Sequence, residues 1–385
     1  MRLPEYVGPL AFGVKMGLIV RGMDIIKTVF EQLLCCHRDG LLESGDIICI
    51  TESVVARAQN NYVTTADVAR ESREKLRLSP EDRLGLVFPI ASRNRFALVL
   101  RGLALAVPRG EVVLQLSFPH DEVGNQIIDP DFADALGRDL ITLEDLDGRV
   151  FPHPVTGIDY IRLYRDIISE TGAVPRIILC NDPLQILEYK PDGVIAADIH
   201  TRARTRALLA ARHPRCLTLD QLCNSGTAHS EWGLLGSNIS AGEKIKLAPR
   251  EGPAIVAELQ RLAREKLGLH LEVMIYGDGA YRDPTTGIYE LADPRPTVAA
   301  TAGLNRYREG IKYKYLADYY YLEKGKSIAE IEKLLQEQKQ NPAGGDGESC
   351  EGTTPRRMED VVASLADLVS GSSDAGTPLV VVKGF

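Results

Sequence analysis

The chain has 385 residues, 44% hydrophobic and 25% charged, and this length predicts about two or three domains. With 45 basic and 53 acidic side chains its net charge is −8, which argues against nonspecific binding to nucleic acids or anionic membranes. No apolar run reaches the ~18 residues that a membrane span needs, and the first residues do not resemble a secretory signal. We therefore expect a soluble, cytoplasmic protein.

The chain contains seven cysteines. Only Cys35 and Cys36 are adjacent, and no pair has the C-x-x-C spacing that is typical of zinc sites. An odd number of scattered cysteines in a long chain also argues against a disulfide framework. We expect buried free thiols, so that any metal chemistry would depend on Asp, Glu and His.

Short β-branched runs alternate with helical segments, a pattern typical of an α/β fold with some parallel strands. Ligands of such folds bind beyond the carboxyl ends of the strands. If the ends of the predicted strands converge, they would form an acidic, oxygen-rich site. Polar clusters follow five of them: 47–50 precedes Thr51, Glu52 and Ser53; 112–116 precedes 117–121; 177–179 precedes Asn181 and Asp182; 194–197 precedes Asp198 and His200; and 273–276 precedes 277–283.

Two helices, a linker and a strand are predicted near the end of the chain. Apolar residues at helical spacing predict a helix over 327–340, and the Gly- and Pro-rich stretch 341–349 is typical of a linker. A second helix is predicted with Thr354 as its N-cap, Pro355 as its first residue and Gly371 as its end. The β-branched run 378–383 predicts a closing strand.

Two phosphate-binding motifs are incomplete. Gly325, Lys326 and Ser327 resemble the end of a P-loop, but Tyr320 stands where its first glycine is required. The run that begins at Gly277 has Arg282 where a dinucleotide-binding fingerprint needs glycine. Neither motif therefore predicts a nucleotide site.

Two groups of residues have the chemistry of a site for a hard cation. Asp121, Glu122 and Asn125 follow a predicted strand and offer the oxygen ligands that Mg²⁺ or Mn²⁺ prefers, although a simple turn uses the same residue types. Asp198 ends another strand and precedes Arg202 and two further arginines, a combination that suits a metal-bound triphosphate. The alternative for Asp198 is a helix cap beside a solvated basic face.

The segment 276–294 combines glycines with the acids Asp278, Asp283, Glu290 and Asp293. Turn formation explains the glycines but does not require the acids, which favours a metal or phosphate role. The spacing of Ser53 and Arg57, four residues apart, indicates no functional site. It predicts that Ser53 is a helix N-cap and that Arg57 is a surface side chain.

Six segments, taken in order, resemble the coenzyme F-420-0:L-glutamate ligase family, the gamma-glutamyl ligases. They are 18–24, 45–59 (Gly-Asp-Ile-Ile-Cys-Ile-Thr-Glu-Ser-Val-Val-Ala-Arg-Ala-Gln), 120–125 (His-Asp-Glu-Val-Gly-Asn), 194–202 (Val-Ile-Ala-Ala-Asp-Ile-His-Thr-Arg), 272–291 and 356–384. Ile199 and Arg57 depart from the family pattern, and 126–190 and 295–354 have no counterpart in it.

The resemblance implies a GTP-dependent ligase that uses Mg²⁺ or Mn²⁺ to join an amino acid, L-glutamate in the family, to a carboxylate through an acyl phosphate. It implies a mixed α/β, two-domain fold with a mixed sheet and an intertwined homodimer. The residues it implicates have three roles. They are Asp121 or Glu122 with Asp198 for the metal; Ser53, Arg57, Asn125 and Arg202 for the nucleotide; and Asp283 and Glu290 for catalysis.

The same reading divides the chain into four parts. They are 1–125, the start of a nucleotide- and metal-binding domain; 126–294, a middle α/β region; 295–354, an insertion with a linker; and 355–385, which completes the ligase-like frame. Two other functions stay open: a nucleotide-dependent phosphotransferase or phosphohydrolase, and a non-catalytic nucleotide sensor. The expected partners are a nucleotide, a small carboxylate and an amino acid.

Overall fold

The computed structural model describes residues 4, 6–240, 242–278, 293–308, 316–340, 356–370 and 376–385. The strands in chain order are β1 (Leu10–Val14), β2 (Ile47–Thr51), β3 (Tyr62–Thr64), β4 (Arg83–Val87), β5 (Glu111–Leu116), β6 (Leu140–Thr142), β7 (Val174–Cys180), β8 (Gly193–Ala196), β9 (Cys216–Thr218), β10 (Asn238–Ile239), β11 (Lys244–Lys246), β12 (Glu272–Tyr276), β13 (Thr297–Ala300), β14 (Tyr307–Arg308), β15 (Arg356–Arg357) and β16 (Leu379–Lys383).

Helices connect most of these strands. They are α1 (Ile25–Arg38), α2 (Glu52–Ala58), α3 (Thr65–Leu76), α4 (Ala97–Ala104), α5 (Pro130–Leu136), α6 (Tyr160–Glu170), α7 (Arg202–Ala210), α8 (Gly252–Leu262), α9 (Ile328–Gln340) and α10 (Met358–Ser370). Short 3₁₀ segments lie at Pro183–Tyr189, Leu219–Gln221 and Ala302–Leu304, and π-helical turns at Ala263–Leu267 and Leu316–Glu323.

Sheet I contains strands β1, β16, β2, β12 and β13 in that spatial order. β2 and β12 are parallel, and the other neighbours are antiparallel. Because successive side chains of a strand alternate between its faces, Ile48 and Ile50 pack against α1 and α8, whereas Ile47 and Cys49 pack against α10. Helices thus bury both faces, which explains the unbroken apolar runs in β2 and β12.

Sheet II contains strands β6, β7, β5, β4, β8 and β9 in that order, all parallel except β6. Helices also cover both faces of this sheet. Val112 and Leu114 share a core with α3, α4 and α6, and Val113 shares one with α7 and the 3₁₀ turn at Pro183–Tyr189. The carboxyl ends of β4, β5 and β8 therefore emerge side by side at one edge, where ligands of such sheets bind.

A small sheet joins the two ends of the segment that forms sheet II. β11 pairs antiparallel with β3 and with β10, so the chain enters sheet II after β3 and returns at β10. Strands from both sides of the predicted division at residues 125 and 126 take part in sheet II. That division stays a prediction about functional parts of the chain.

The described residues form a mixed α/β fold with several sheets, as the sequence predicts. The five strands before polar clusters, the closing strand and the helix over 327–340 are confirmed. The two-domain arrangement and the intertwined dimer stay predictions. Within the described ranges, no helix has both the length and the apolar character needed to cross a membrane.

The last helix starts later than predicted. It begins at Met358, because Arg356 and Arg357 instead form β15 and pair with β14. Thr354, Pro355, the linker 341–349 and Gly371 lie outside the described residues.

The described cysteines are free thiols, and all except Cys35 are buried. Burial raises the pKa of the Cys216 thiol to about 11, so this group stays protonated and unreactive at neutral pH. Cys350 lies outside the described residues.

Gly102 permits the close packing of α3 against α4. A Cβ atom at this position would lie 2.7 Å from Cβ of Val68 and 3.1 Å from the carbonyl oxygen of Thr65. Alanine favours a helix by ~1 kcal/mol over glycine, but the overpacked contact costs about 1–3 kcal/mol.

We expect Gly102→Ala to lower the free energy of unfolding despite the helix-favouring residue, as measured by urea denaturation. Gly8→Ala is the matched control, because a Cβ atom there meets nothing within 4 Å. Unchanged or greater stability of the Gly102 variant would contradict this packing.

Candidate functional site

The polar clusters that follow the predicted strands divide between the two sheets. Glu52 and Gly277 follow β2 and β12, which are parallel neighbours in sheet I. Glu122 and Asp198 follow β5 and β8, which flank β4 in sheet II. The polar clusters predicted from the sequence therefore lie at the edges of two different sheets. The contacts between their side chains show which clusters lie next to each other.

Asp198 is fully buried after β8. Its Oδ2 accepts hydrogen bonds from the hydroxyls of Thr201, at 2.6 Å, and Thr205, at 2.7 Å. Its Oδ1 is buried and receives no hydrogen bond from the part of the chain that the structure describes. Burial raises the pKa of Asp198, and the two hydroxyls oppose this shift. Such an oxygen costs free energy unless a ligand satisfies it.

Glu122 lies beside Asp198. Its carboxylate accepts the backbone N–H groups of Ile199 and His200, the latter at 3.2 Å, and it lies 3.4 Å from the Thr201 hydroxyl oxygen. Glu122 is exposed as a residue, but desolvation of its carboxyl group and the nearby charge of Asp198 raise its pKa. We call Glu122, Asp198 and Thr201 the carboxylate pair site. The Thr201 hydroxyl lies next to both carboxylates, and two neighbouring negative charges attract a cation.

Asp121 and Asn125 close their own turn. Asp121 accepts the backbone N–H of Ala91 at 2.8 Å on Oδ2, and the N–H groups of Val123 and Asn125 at 3.1 and 2.8 Å on Oδ1. The Asn125 side-chain amide also donates to Asp121 Oδ2 at 2.9 Å. This geometry favours Glu122 over Asp121 as the companion of Asp198.

The predicted nucleotide-binding residues lie in three parts of the chain: Ser53 and Arg57 in α2, Asn125 after β5 and Arg202 at the start of α7. Helix α2 begins at Glu52 with Thr51 in the N-cap position, so Ser53 is not the cap but a half-buried residue of the first turn, with exposed Arg57 one turn later. Arg202 begins α7, donates to Asp220 at 3.0 Å and also bonds the carbonyl of Ile199.

A second group of charged side chains lies at the edge of sheet I. Lys246 of β11 donates to Glu52 Oε1 at 2.6 Å, and Arg95 donates to Asp293 Oδ1 at 2.6 Å and to Asp278. Asp293 Oδ2 also accepts the backbone N–H of Asp278 at 2.9 Å. We call these five residues the charge cluster; Glu52, Lys246 and Asp293 are all buried.

Glycine at position 277 lets Asp293 reach this edge. A Cβ atom there would lie 2.3 Å from Asp293 Oδ2 and 3.8 Å from Glu52 Cγ. Two acids of the charge cluster therefore approach the same backbone position, directly after the last residue of β12. A side chain at 277 would displace the carboxylate that Arg95 and Asp278 hold.

One loop contacts the charge cluster and also Asp121, the residue next to the carboxylate pair site. The segment after β4 supplies Ala91, whose N–H binds Asp121, and Arg95, which binds Asp278 and Asp293. Glu122, the neighbour of Asp121, belongs to the carboxylate pair site. The loop after β4 therefore connects the edge of sheet II with the edge of sheet I.

Sequence reasoning missed three residues of these groups, Arg95, Lys246 and Thr201. It also missed Thr205, which donates a hydrogen bond to Asp198. Arg95 belongs to a polar run that follows β4, so the criterion used for the other strand ends could have found it. Nothing in the sequence around Lys246 marks it.

Asp283 and Glu290 lie outside the described residues. Among the residues that the structure describes, no group of three or more His, Cys, Asp or Glu side chains could hold a metal ion. A cation at the carboxylate pair site would therefore need further ligands that are not such side chains, for example phosphate oxygens and water.

Comparison with models of known protein families confirms the resemblance drawn from the six segments. The model of the family described as F420-0:Gamma-glutamyl ligase matches residues 13–384, nearly the whole chain. A search of curated proteins finds no match. The chain belongs to the F420-0:gamma-glutamyl ligase family.

Proposed function

We propose that this protein is an amide ligase that joins L-glutamate to a carboxylate acceptor, with GTP and a divalent cation, through an acyl phosphate. Membership of a family of gamma-glutamyl ligases supports formation of an amide bond. A carboxylate is a poor electrophile until it is phosphorylated, so such an enzyme must bind a nucleoside triphosphate and position an amine against the activated acyl group.

The observation that carries the proposal is the buried Oδ1 of Asp198, which lies beside Glu122 and receives no hydrogen bond from the described segments of the chain. These two carboxylates and the Thr201 hydroxyl are oxygen ligands, which suit Mg²⁺ or Mn²⁺. Mg²⁺ in proteins commonly binds one or two carboxylates together with substrate phosphates and water. A cation bound here would neutralise charge on the transferred phosphoryl group.

The chain's own residues hold this site in shape. Thr201 and Thr205 fix one oxygen of Asp198 and leave the other for a ligand. The N–H groups of Ile199 and His200 hold Glu122 against the start of α7. Ser53, Arg57, Asn125 and Arg202 stay candidates for nucleotide contacts.

A turnover assay separates this function from the two alternatives. We expect GDP to form only when GTP, Mn²⁺ or Mg²⁺, L-glutamate and the family's acceptor, coenzyme F-420-0, are all present, with the glutamylated product detected by mass spectrometry. GDP release without acceptor and amino acid would indicate a phosphohydrolase instead. Saturable GTP binding without any turnover would indicate a nucleotide sensor.

Asp198→Asn tests the carboxylate pair site. We expect this variant to weaken Mn²⁺-dependent GTP binding by more than ~100-fold, because loss of a residue that merely orients a ligand costs roughly 10–100-fold. Isothermal titration with and without EDTA measures this effect. Asp182→Asn is the matched control, since Asp182 follows β7 of the same sheet and caps the 3₁₀ turn at Pro183–Tyr189.

The same variant should not lose stability. Asparagine removes a buried charge and its repulsion with Glu122, so without metal we expect its free energy of unfolding to stay at or above that of the wild type. Urea denaturation provides this measurement. Unchanged GTP affinity in a folded Asp198 variant would overturn the assignment of the site.

The resemblance also implies a homodimer, which we propose for this chain. Leu368 of α10 is 60% exposed and Val369 beside it is also exposed, and apolar side chains of this kind favour contact with another surface. Sedimentation velocity should give twice the 42.2 kDa mass of one chain. A species of 42.2 kDa at micromolar concentration would contradict the dimer.

A further inference from the structure

Glu52 is a buried member of the charge cluster, and one of its two carboxylate oxygens has no hydrogen-bond donor among the described residues. It is 8% exposed, and Lys246 holds its Oε1 at 2.6 Å. Its Oε2 is buried and receives no hydrogen bond from the described ranges of the chain. An ion pair that served only to stabilise the fold would gain from satisfying both oxygens, because an unsatisfied buried acceptor costs free energy.

The charges around Glu52 favour a cationic ligand. The charge cluster contains three acids, Glu52, Asp278 and Asp293, and two bases, Arg95 and Lys246. Three negative and two positive charges leave a net charge of −1. In a buried environment this excess attracts a cation more strongly than it would in water.

The proposed ligase reaction needs a proton acceptor for the amine before the amine attacks the acyl group. An amino acid carries an ammonium group at neutral pH, and an ammonium nitrogen has no lone pair with which to attack an acyl group. A carboxylate within hydrogen-bonding reach both binds the ammonium group and removes its proton.

We propose that Glu52 binds the ammonium group of the incoming amino acid and accepts its proton on Oε2, with Lys246 positioning the carboxylate. This inference rests on the proposed ligase function. One N–H bond of the ammonium group breaks and its proton goes to Glu52. The freed lone pair attacks the acyl carbon, the C–O bond to phosphate breaks, and the second proton leaves with the phosphate as the amide forms.

The ionisation of Glu52 agrees with this role. The pKa of Glu52 is raised, mainly by burial and further by the negative charge of Asp293. The positive charges of Lys246 and Arg95 oppose this shift. A raised pKa makes the carboxylate a stronger base than an exposed glutamate. Amide formation should therefore decline as the pH falls through a value above the ordinary glutamate pKa of about 4.3.

The test compares two nucleophiles in the complete reaction with GTP, Mn²⁺ and coenzyme F-420-0. Hydroxylamine is unprotonated at neutral pH and captures an activated carboxylate without a base, whereas L-glutamate must first lose a proton. We expect Glu52→Gln to lower kcat with L-glutamate by ~10²–10⁴-fold and to leave hydroxamate formation within about threefold of the wild type. Higher pH should partly restore the reaction with L-glutamate.

Glu71→Gln is the matched control, because Glu71 pairs with Lys75 at 2.6 Å, the same distance as in the pair of Glu52 and Lys246. We expect it to leave both reactions unchanged. Equal losses with both nucleophiles in Glu52→Gln, or no loss with either, would overturn the role of Glu52. Absence of hydroxamate in the wild type would instead overturn the proposed function.

The wild-type protein supplies a measurement that does not depend on folding of a variant. In the pH range where hydroxylamine stays unprotonated, its rate should stay constant while the rate with L-glutamate falls as the pH decreases. Identical pH profiles for the two nucleophiles would contradict proton transfer to Glu52.

Discussion

The candidate site depends on the ion pairs that Arg95 makes with two aspartates. The guanidinium group of Arg95 comes from the loop after β4 of sheet II and binds two aspartates, Asp278 and Asp293, at the edge of sheet I. Its side chain is 11% exposed, so removal of both partners would leave a poorly solvated, unpaired charge. This constraint holds the carboxyl ends of strands from two sheets against each other.

The two groups of charged residues suit different parts of one reaction. In the proposed reaction, Asp198 Oδ1 of the carboxylate pair site would bind a cation, and Glu52 Oε2 of the charge cluster would bind an amine. Neither oxygen receives a hydrogen bond from the residues that the structure describes. Both oxygens are buried, and both belong to carboxylates whose other oxygen is fixed by a neighbour. A ligase of this kind needs such a division, because a carboxylate oxygen of the acceptor takes the phosphoryl group whereas its acyl carbon takes the amine, so the nucleotide and the amine need separate binding sites.

Much of the fold could be predicted because sheets covered on both faces leave unbroken apolar runs. The runs at 47–50 and 273–276 were recognisable as strands for this reason, and Asp198 was recognisable as a polar residue directly after one. The start of α10 could not be predicted, since Arg356 and Arg357 pair with β14, which lies far away in the sequence. Asp121 and Glu122 are adjacent and chemically alike, and only their hydrogen bonds distinguish a turn-closing residue from a ligand.

The sequence by itself determined the family, the α/β class and the strand ends that carry acids, because these depend on local patterns and on the order of short motifs. Tertiary structure decided which of those acids meet. Glu52 and Lys246 are separated by 194 residues, and Arg95 and Asp293 by 198. Their contacts exist because the segment that forms sheet II starts and ends at the paired strands β3 and β11, which brings residues distant in the chain to one edge. No local pattern encodes a contact over that separation, since it depends on how the sheets are connected.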